Sequence, residues 1–201
     1  MKKIILFLIM LVGSSPLLAA DTDVVFARLD GKTLNVSLTN TTTFVAFQMD
    51  IDLPEGVTVE APVKGVRLNE NNFLLVYNTY DTEKNVVRVL AYNLTNSSIS
   101  GENGENLFSM ALSGTGSEPI TVSNIIFADN TPAEVFLSDA TAVITGDVNK
   151  SGTLELNDLI ALTKFIIGDN TDGLDSDAAD VNCDGTITVN DLIALVQILI
   201  Q

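Results

Sequence analysis

The chain has 201 residues, with 26 Asp and Glu against 10 Lys and Arg, no His, no Trp and one Cys, for a formal net charge of −16. Such a field repels nucleic acid and anionic lipid alike and attracts divalent cations. One cysteine excludes an internal disulfide, and the lack of histidine removes the usual general base and the commonest transition-metal ligand; hydrolase triads and zinc sites are disfavoured, while oxygen ligands are plentiful.

Lys2 and Lys3, the apolar residues 4–12 and the small residues ending at Ala19 and Ala20 follow the three-part pattern of a secretory leader, with cleavage expected after Ala20. The apolar run is shorter than the about 20 residues that a membrane-spanning helix needs. No cysteine follows it to carry a lipid. The sequence therefore predicts an exported product without a membrane span, in which 21–144 form one unit and 145–201 a second.

Over 21–144 short β-branched and aromatic runs alternate with Gly, Pro, Asn and Asp clusters at the spacing of a sandwich, and no helical period is visible. Strands are expected at 33–38, 44–53, 73–77, 86–92, 107–112, 120–122, 125–127, 134–137 and 141–145, forming two packed antiparallel sheets. The clearest is 44–53, where Val45, Phe47, Met49, Ile51 and Leu53 alternate with a wetter set before Pro54 and Gly56 turn the chain. Residues 95–98 and 101–104 read as turns, because Gly and Asn tolerate positive φ.

After Gly146 the period becomes helical: Leu159, Ile160, Leu162, Phe165, Ile166 and Ile167 recur at that spacing, as do Leu192, Ile193, Leu195, Ile198, Leu199 and Ile200. Gly168 is placed to stop the first helix. Each helix follows one copy of a twelve-residue pattern. The copies start at Asp147 and Asp180, 33 residues apart, and 157–162 are identical to 190–195.

A hard cation such as calcium takes about seven oxygens, and a twelve-residue loop supplies them from positions one, three, five, seven, nine and twelve. The side-chain donors at those positions are Asp147, Asn149, Ser151 and Asp158 in the first copy and Asp180, Asn182, Asp184 and Asp191 in the second; Thr153 and Thr186 supply backbone carbonyls. Gly152 and Gly185 stand at the sixth position, where the loop turns sharply. Two bound calcium ions are expected. The second loop has three carboxylates at ligand positions and the first two, so the second is expected to bind more tightly, with Glu155 partly compensating in the first. The alternative for one such loop is a polar surface turn, which two copies in register make remote.

With Asp rather than Glu at the twelfth position and no helix entering the first loop, the unit is loop plus exiting helix, and 146–201 resemble a type I dockerin over both loops and both helices. That resemblance implies a small all-α module of near two-fold symmetry that docks onto a cohesin-type domain. It further implies partner-reading positions at Leu156, Asn157, Thr163 and Lys164 in the first copy and at Val189, Asn190, Val196 and Gln197 in the second. The family often has a hydroxyl pair beside the twelfth position; here Leu-Asn and Val-Asn stand, leaving the partner's identity open. Equally open is a structural alternative in which Asn157 and Asn190 cap the helices and Leu156 and Val189 fill the core.

The first unit resembles the cohesin and carbohydrate-binding sandwich superfamily in the runs 36–40, 47–56 and 99–101. This implies a jelly-roll sandwich but carries no site residues. Tyr80, in a polar stretch, is a candidate sugar platform or a plain turn tyrosine, and Tyr77 and Tyr92 read as strand residues. No catalytic residue is assigned: a glycosidase needs two carboxyls across a cleft, and Cys183 lacks a histidine to activate it. Three readings stay open: a non-catalytic adaptor, a polysaccharide-binding protein delivered by its C-terminal module, and self-assembly by pairing of the sandwich with the module of another copy.

Overall fold

The computed structural model describes residues 17–18, 23–95, 98–116, 118–129, 134–169 and 173–200. The expected leader and its cleavage point lie outside these, save for Leu17–Leu18, and the turn expected at 95–98 lies partly outside them. Among the described residues no helix is long and apolar enough to cross a membrane.

The first unit is the expected antiparallel sandwich. After β1 (Leu17–Leu18), which falls within the expected leader, it comprises in chain order β2 (Val24–Asp30), β3 (Thr33–Phe44), β4 (Ala46–Asp52), β5 (Thr58–Val59), β6 (Val63–Lys64), α1 (Val66–Glu70), β7 (Leu74–Asp81), β8 (Val86–Tyr92), β9 (Ile99–Ser113), β10 (Thr121–Ala128), β11 (Glu134–Phe136), β12 (Ala140–Thr141) and β13 (Val143–Ile144). One sheet runs β1-β11-β10-β4-β8-β7, with β12 also on β10; the other runs β13-β2-β3-β9-β5, with β6 also on β9. Neighbours are antiparallel except β1 with β11 and β13 with β2. Alternation puts Leu34, Val36 and Leu38 of β3 against Phe47, Met49 and Ile51 of β4 and Val87, Val89 and Ala91 of β8 in one core. Phe44, Phe47, Phe108 and Phe127 meet inside it at ring-centroid distances of 4.4 to 6.3 Å.

Several boundaries differ from the sequence reading. Residues 44–53 are not one strand, because Phe44 pairs with Ile99 in one sheet while Ala46 pairs with Tyr92 in the other; the chain changes sheets at Val45. The turn expected at 101–104 is part of the long β9, where register shifts against β3 absorb Gly104 at φ +60. The strands expected at 120–122 and 125–127 are the single β10, bulged at Asn124 (φ +49). The strand expected at 73–77 continues to Asp81, which puts Tyr80 on an edge strand and not in a turn. β2 and α1 carry no signal that the sequence reading used. α1 is too short to show a helical period, yet it buries Leu68 and Arg67, whose guanidinium donates to the Leu38 carbonyl (2.6 Å) and to Asn40 Oδ1.

The second unit contains α2 (Leu156–Ile166), α3 (Ser176–Ala179) and α4 (Val189–Leu199). Val148, Leu162, Ala179, Val181 and Leu195 form its core, and Val148/Val181 and Leu162/Leu195 are symmetry mates under the 33-residue offset. Gly168, at φ +77, ends α2 as expected, its N–H on the Phe165 carbonyl. No spacer separates the units: β13 pairs with β2, Thr145 N–H donates to the Leu29 carbonyl (3.0 Å), and the first loop follows at once.

Gly146 turns the chain at φ +88, where a Cβ would lie 2.6 Å from Leu195 Cδ1 and 2.8 Å from Leu154 Cδ1. Gly146→Ala is therefore expected to lower the stability of the second unit by about 1–3 kcal/mol through overpacking and backbone strain. A chemical denaturation midpoint equal to that of the wild type would contradict this.

Candidate functional site

The two loops have one geometry. Their fourth residues, Lys150 and Cys183, both have φ +59, and their sixth, Gly152 and Gly185, both have φ +82. Asp147 accepts the N–H of Ser151 on Oδ1 (2.9 Å) and of Gly152 on Oδ2 (2.8 Å); Asp180 accepts those of Asp184 (3.1 Å) and Gly185 (2.9 Å) in the same way. The third-position amides, Asn149 and Asn182, accept from the fifth-position N–H at 2.8 and 2.9 Å. Ser151 Oγ donates to the Thr153 carbonyl (2.9 Å), which brings two expected donors side by side.

The twelfth residues close the loops. Asp158 Oδ1 takes the Asn149 N–H (3.2 Å) and Oδ2 the Glu155 N–H (2.8 Å); Asp191 Oδ1 takes the Asn182 N–H (3.1 Å) and Oδ2 the Thr188 N–H (2.8 Å). One carboxylate thus ties the third loop position to the first helical turn. Asp158 and Asp191 are 0% exposed and Asp147 7%, and among the described residues none of the three forms a salt bridge. A buried carboxylate is costly without a cationic partner, so the donor set, carboxylate with amide, hydroxyl and backbone carbonyl, fits a hard cation. Among the described residues no three acidic or thiol side chains are grouped to hold a metal by themselves, so a cation here would also draw on the amide, hydroxyl and carbonyl oxygens. Hydrogen bonds from the Thr186 hydroxyl and N–H hold the Asp184 carboxyl below its ordinary value.

The structure separates the two roles left open for the residues after the loops. The helix N-caps are Glu155 and Thr188, not Asn157 and Asn190, which lie inside the first turn. Nor do Leu156 and Val189 fill the core: they are 64% and 55% exposed. Each begins an apolar stripe at i, i+4, i+7 and i+11. Ile160 continues it on α2, with Thr163 at the third place and Ile167 at the C-cap; Ile193 and Val196 continue it on α4, with Ile200 at the C-cap. Ile160 and Ile193, 46% and 53% exposed, were read from the sequence only as members of the helical period. Their register with Leu156 and Val189 is the signal that distinguishes them. Asn157, Lys164, Asn190 and Gln197 flank the stripes and are exposed, while the Thr163 hydroxyl donates back to the Leu159 carbonyl (2.7 Å).

On the sandwich, Tyr80 has one ring face covered by the Arg88 guanidinium, 3.5 Å from its centroid, and Arg88 forks onto Asp50 at 2.6 and 2.7 Å. Cys183 is exposed; burial pushes its thiol up, against the opposing pull of Arg28, which is unlike an activated nucleophile.

No curated protein matches the chain. Among solved structures it is similar to a non-cellulosomal cohesin from the archaeon Archaeoglobus fulgidus, at 18% identity and a TM-score of 0.48 over 62% of this chain and 92% of that one. A type I cohesin–dockerin complex from Clostridium thermocellum aligns at 15% identity and a TM-score of 0.47 over 62% and 99%. The cohesin module of a family 33 glycoside hydrolase from Clostridium perfringens aligns at 12% identity and a TM-score of 0.44 over 61% and 94%. The family model described as "Dockerin type I domain" matches residues 145–200, a span that takes in both loops, both following helices and the core between them, so the C-terminal unit is similar to that domain.

Proposed function

We propose that this protein is an exported, non-catalytic adaptor with a boundary at 144/145, whose C-terminal module binds two calcium ions and docks onto a cohesin-type domain. The observation that carries the reading is the doubled apolar stripe, exposed along α2 and α4 and starting directly after each closed loop. Asp147, Asn149, Ser151, the Thr153 carbonyl and Asp158 would hold one ion; Asp180, Asn182, Asp184, the Thr186 carbonyl and Asp191 the other. The ion supplies the positive charge that the buried carboxylates lack. Asp158 and Asp191 in turn fix the first turn of each helix, and so the position of the stripe.

The test is binding of the full chain to a panel of cohesin domains in calcium and in chelator. Ile160→Asp and Ile193→Asp are each expected to weaken the complex by about 2 kcal/mol, roughly 30-fold in Kd, if each stripe contributes an anchor. Binding that ignores both substitutions and the chelator would sink the proposal.

Self-assembly has an observation of its own. The outer face of the sheet carries Val76, Leu90, Gln48, Ile126 and Phe136 in one transverse row, apolar but for the central Gln48 and with Val76 and Phe136 well exposed, and such a row is a candidate acceptor for the stripe of another copy. Mass that rises with concentration in calcium but not in chelator supports it; a strict monomer overturns it. The polysaccharide reading has weaker support, because the chain has no Trp and Arg88 already covers one face of the Tyr80 ring.

A further inference from the structure

Residues 28–30 of β2 contact the chain ahead of both loops. Leu29 pairs with Ile144 in the lead-in to the first loop, and the Thr145 hydroxyl reaches Asp30. Arg28 reaches the other loop. Its Nη1 donates to the Asp180 carbonyl (2.9 Å) and to Cys183 Sγ (3.0 Å), and its Nη2 to the Asp177 carbonyl. Asp177 lies in α3, Asp180 is the first residue of the second loop and Cys183 the fourth. Under the 33-residue offset Asp177 is the counterpart of Ile144. The same piece of sandwich therefore grips equivalent points ahead of both loops. The stripes start at the far ends of the loops and stay exposed with the sandwich in place.

The two grips differ in kind. The first is covalently continuous, since β13 runs straight into the first loop. The second depends on a single guanidinium whose acceptors are two backbone carbonyls and the Cys183 thiol, and of these the Asp180 carbonyl and the thiol belong to the second loop and keep their places while it stays closed. Without a cation, Asp180, Asp184 and Asp191 repel one another and the closed loop loses its advantage over a disordered one.

We infer that Arg28 is a calcium-linked latch: with the second loop loaded it fastens the sandwich to the module as one body, and with the loop empty it lets go, leaving a tether through β13 alone. The inference rests on the metal reading above. It gives the adaptor a fixed geometry between sandwich and docking stripes only where calcium is present, and opening the latch and emptying the loop are linked in both directions.

Small-angle X-ray scattering of the full chain, with calorimetric calcium titration of the same samples, tests it. The wild type is expected to be compact in calcium and to gain radius of gyration in chelator. Arg28→Ala is expected to scatter as the extended form in calcium while keeping its far-UV circular dichroism and still taking up two ions. Arg28→Lys retains the charge but cannot fork onto two carbonyls, and is expected to behave likewise; it replaces the alanine variant should that one fail to fold. Two ions bound, with the variant scattering as the wild type does in calcium, overturn the latch and leave the metal reading standing. No calcium uptake by the wild type overturns both.

Discussion

Asp191→Ala is expected to remove one of the two ions and to cost the C-terminal module about 3 kcal/mol, the scale of losing two hydrogen bonds to a charged acceptor. The buried carboxylate does three things at once. Oδ1 holds the Asn182 N–H, Oδ2 holds the Thr188 N–H, and its charge sits in the first turn of α4, where the helix dipole favours it. Alanine leaves both N–H groups without that acceptor at a partly buried site. Asp191→Asn separates the contributions, since an amide oxygen still accepts one N–H while the charge is gone; it is expected to lose the ion but less of the fold. Asp158 has the same contacts in the first loop. Asp184, whose counterpart is Ser151, gives the second loop one more carboxylate, so Asp180→Ala and Asp191→Ala are expected to reduce total calcium affinity more than Asp147→Ala and Asp158→Ala. Calorimetric titration with the reverse order would refute the charge count.

The loops were legible in the sequence because every residue whose hydrogen bonds close them lies within twelve consecutive residues; local spacing is the whole of their geometry. The helices after them were legible for the same reason. What spacing alone left undecided was which apolar residues face inward. Leu162 and Ile160 both belong to the helical period, yet one is buried and the other lies on the surface, a distinction set by the packing of α2 against α4. In the sandwich the alternation of Phe47, Met49 and Ile51 gave the core face correctly, whereas the sheet crossing at Val45 and the bulged β9 depend on partners 46 or more residues away. The joint at Arg28 was invisible in the sequence, because its partners lie about 150 positions along the chain. Nothing in an isolated arginine on a short strand announces a distant carbonyl.

Stripping divalent metal is expected to abolish most of the helical far-UV signal while the sandwich stays folded. α2 and α4 have 11 residues each, below the about 12–15 at which even favourable isolated helices become marginal in water. The core they share is small, built on Val148, Leu162, Ala179, Val181 and Leu195, whereas the sandwich core draws on both sheets. Saturating calcium at about 1,000 times its Kd adds about 4 kcal/mol per site to the folded module, comparable to the net stability that so few buried side chains provide. Two melting transitions are therefore expected in chelator or at low calcium, the module first. In excess calcium the first moves up towards the second, because the ligand binds the folded loops and not the unfolded chain. Ellipticity and melting temperature that do not respond to complete demetallation would mean that the loops close on their own hydrogen bonds, and the buried Asp158 and Asp191 would then need a different cation partner.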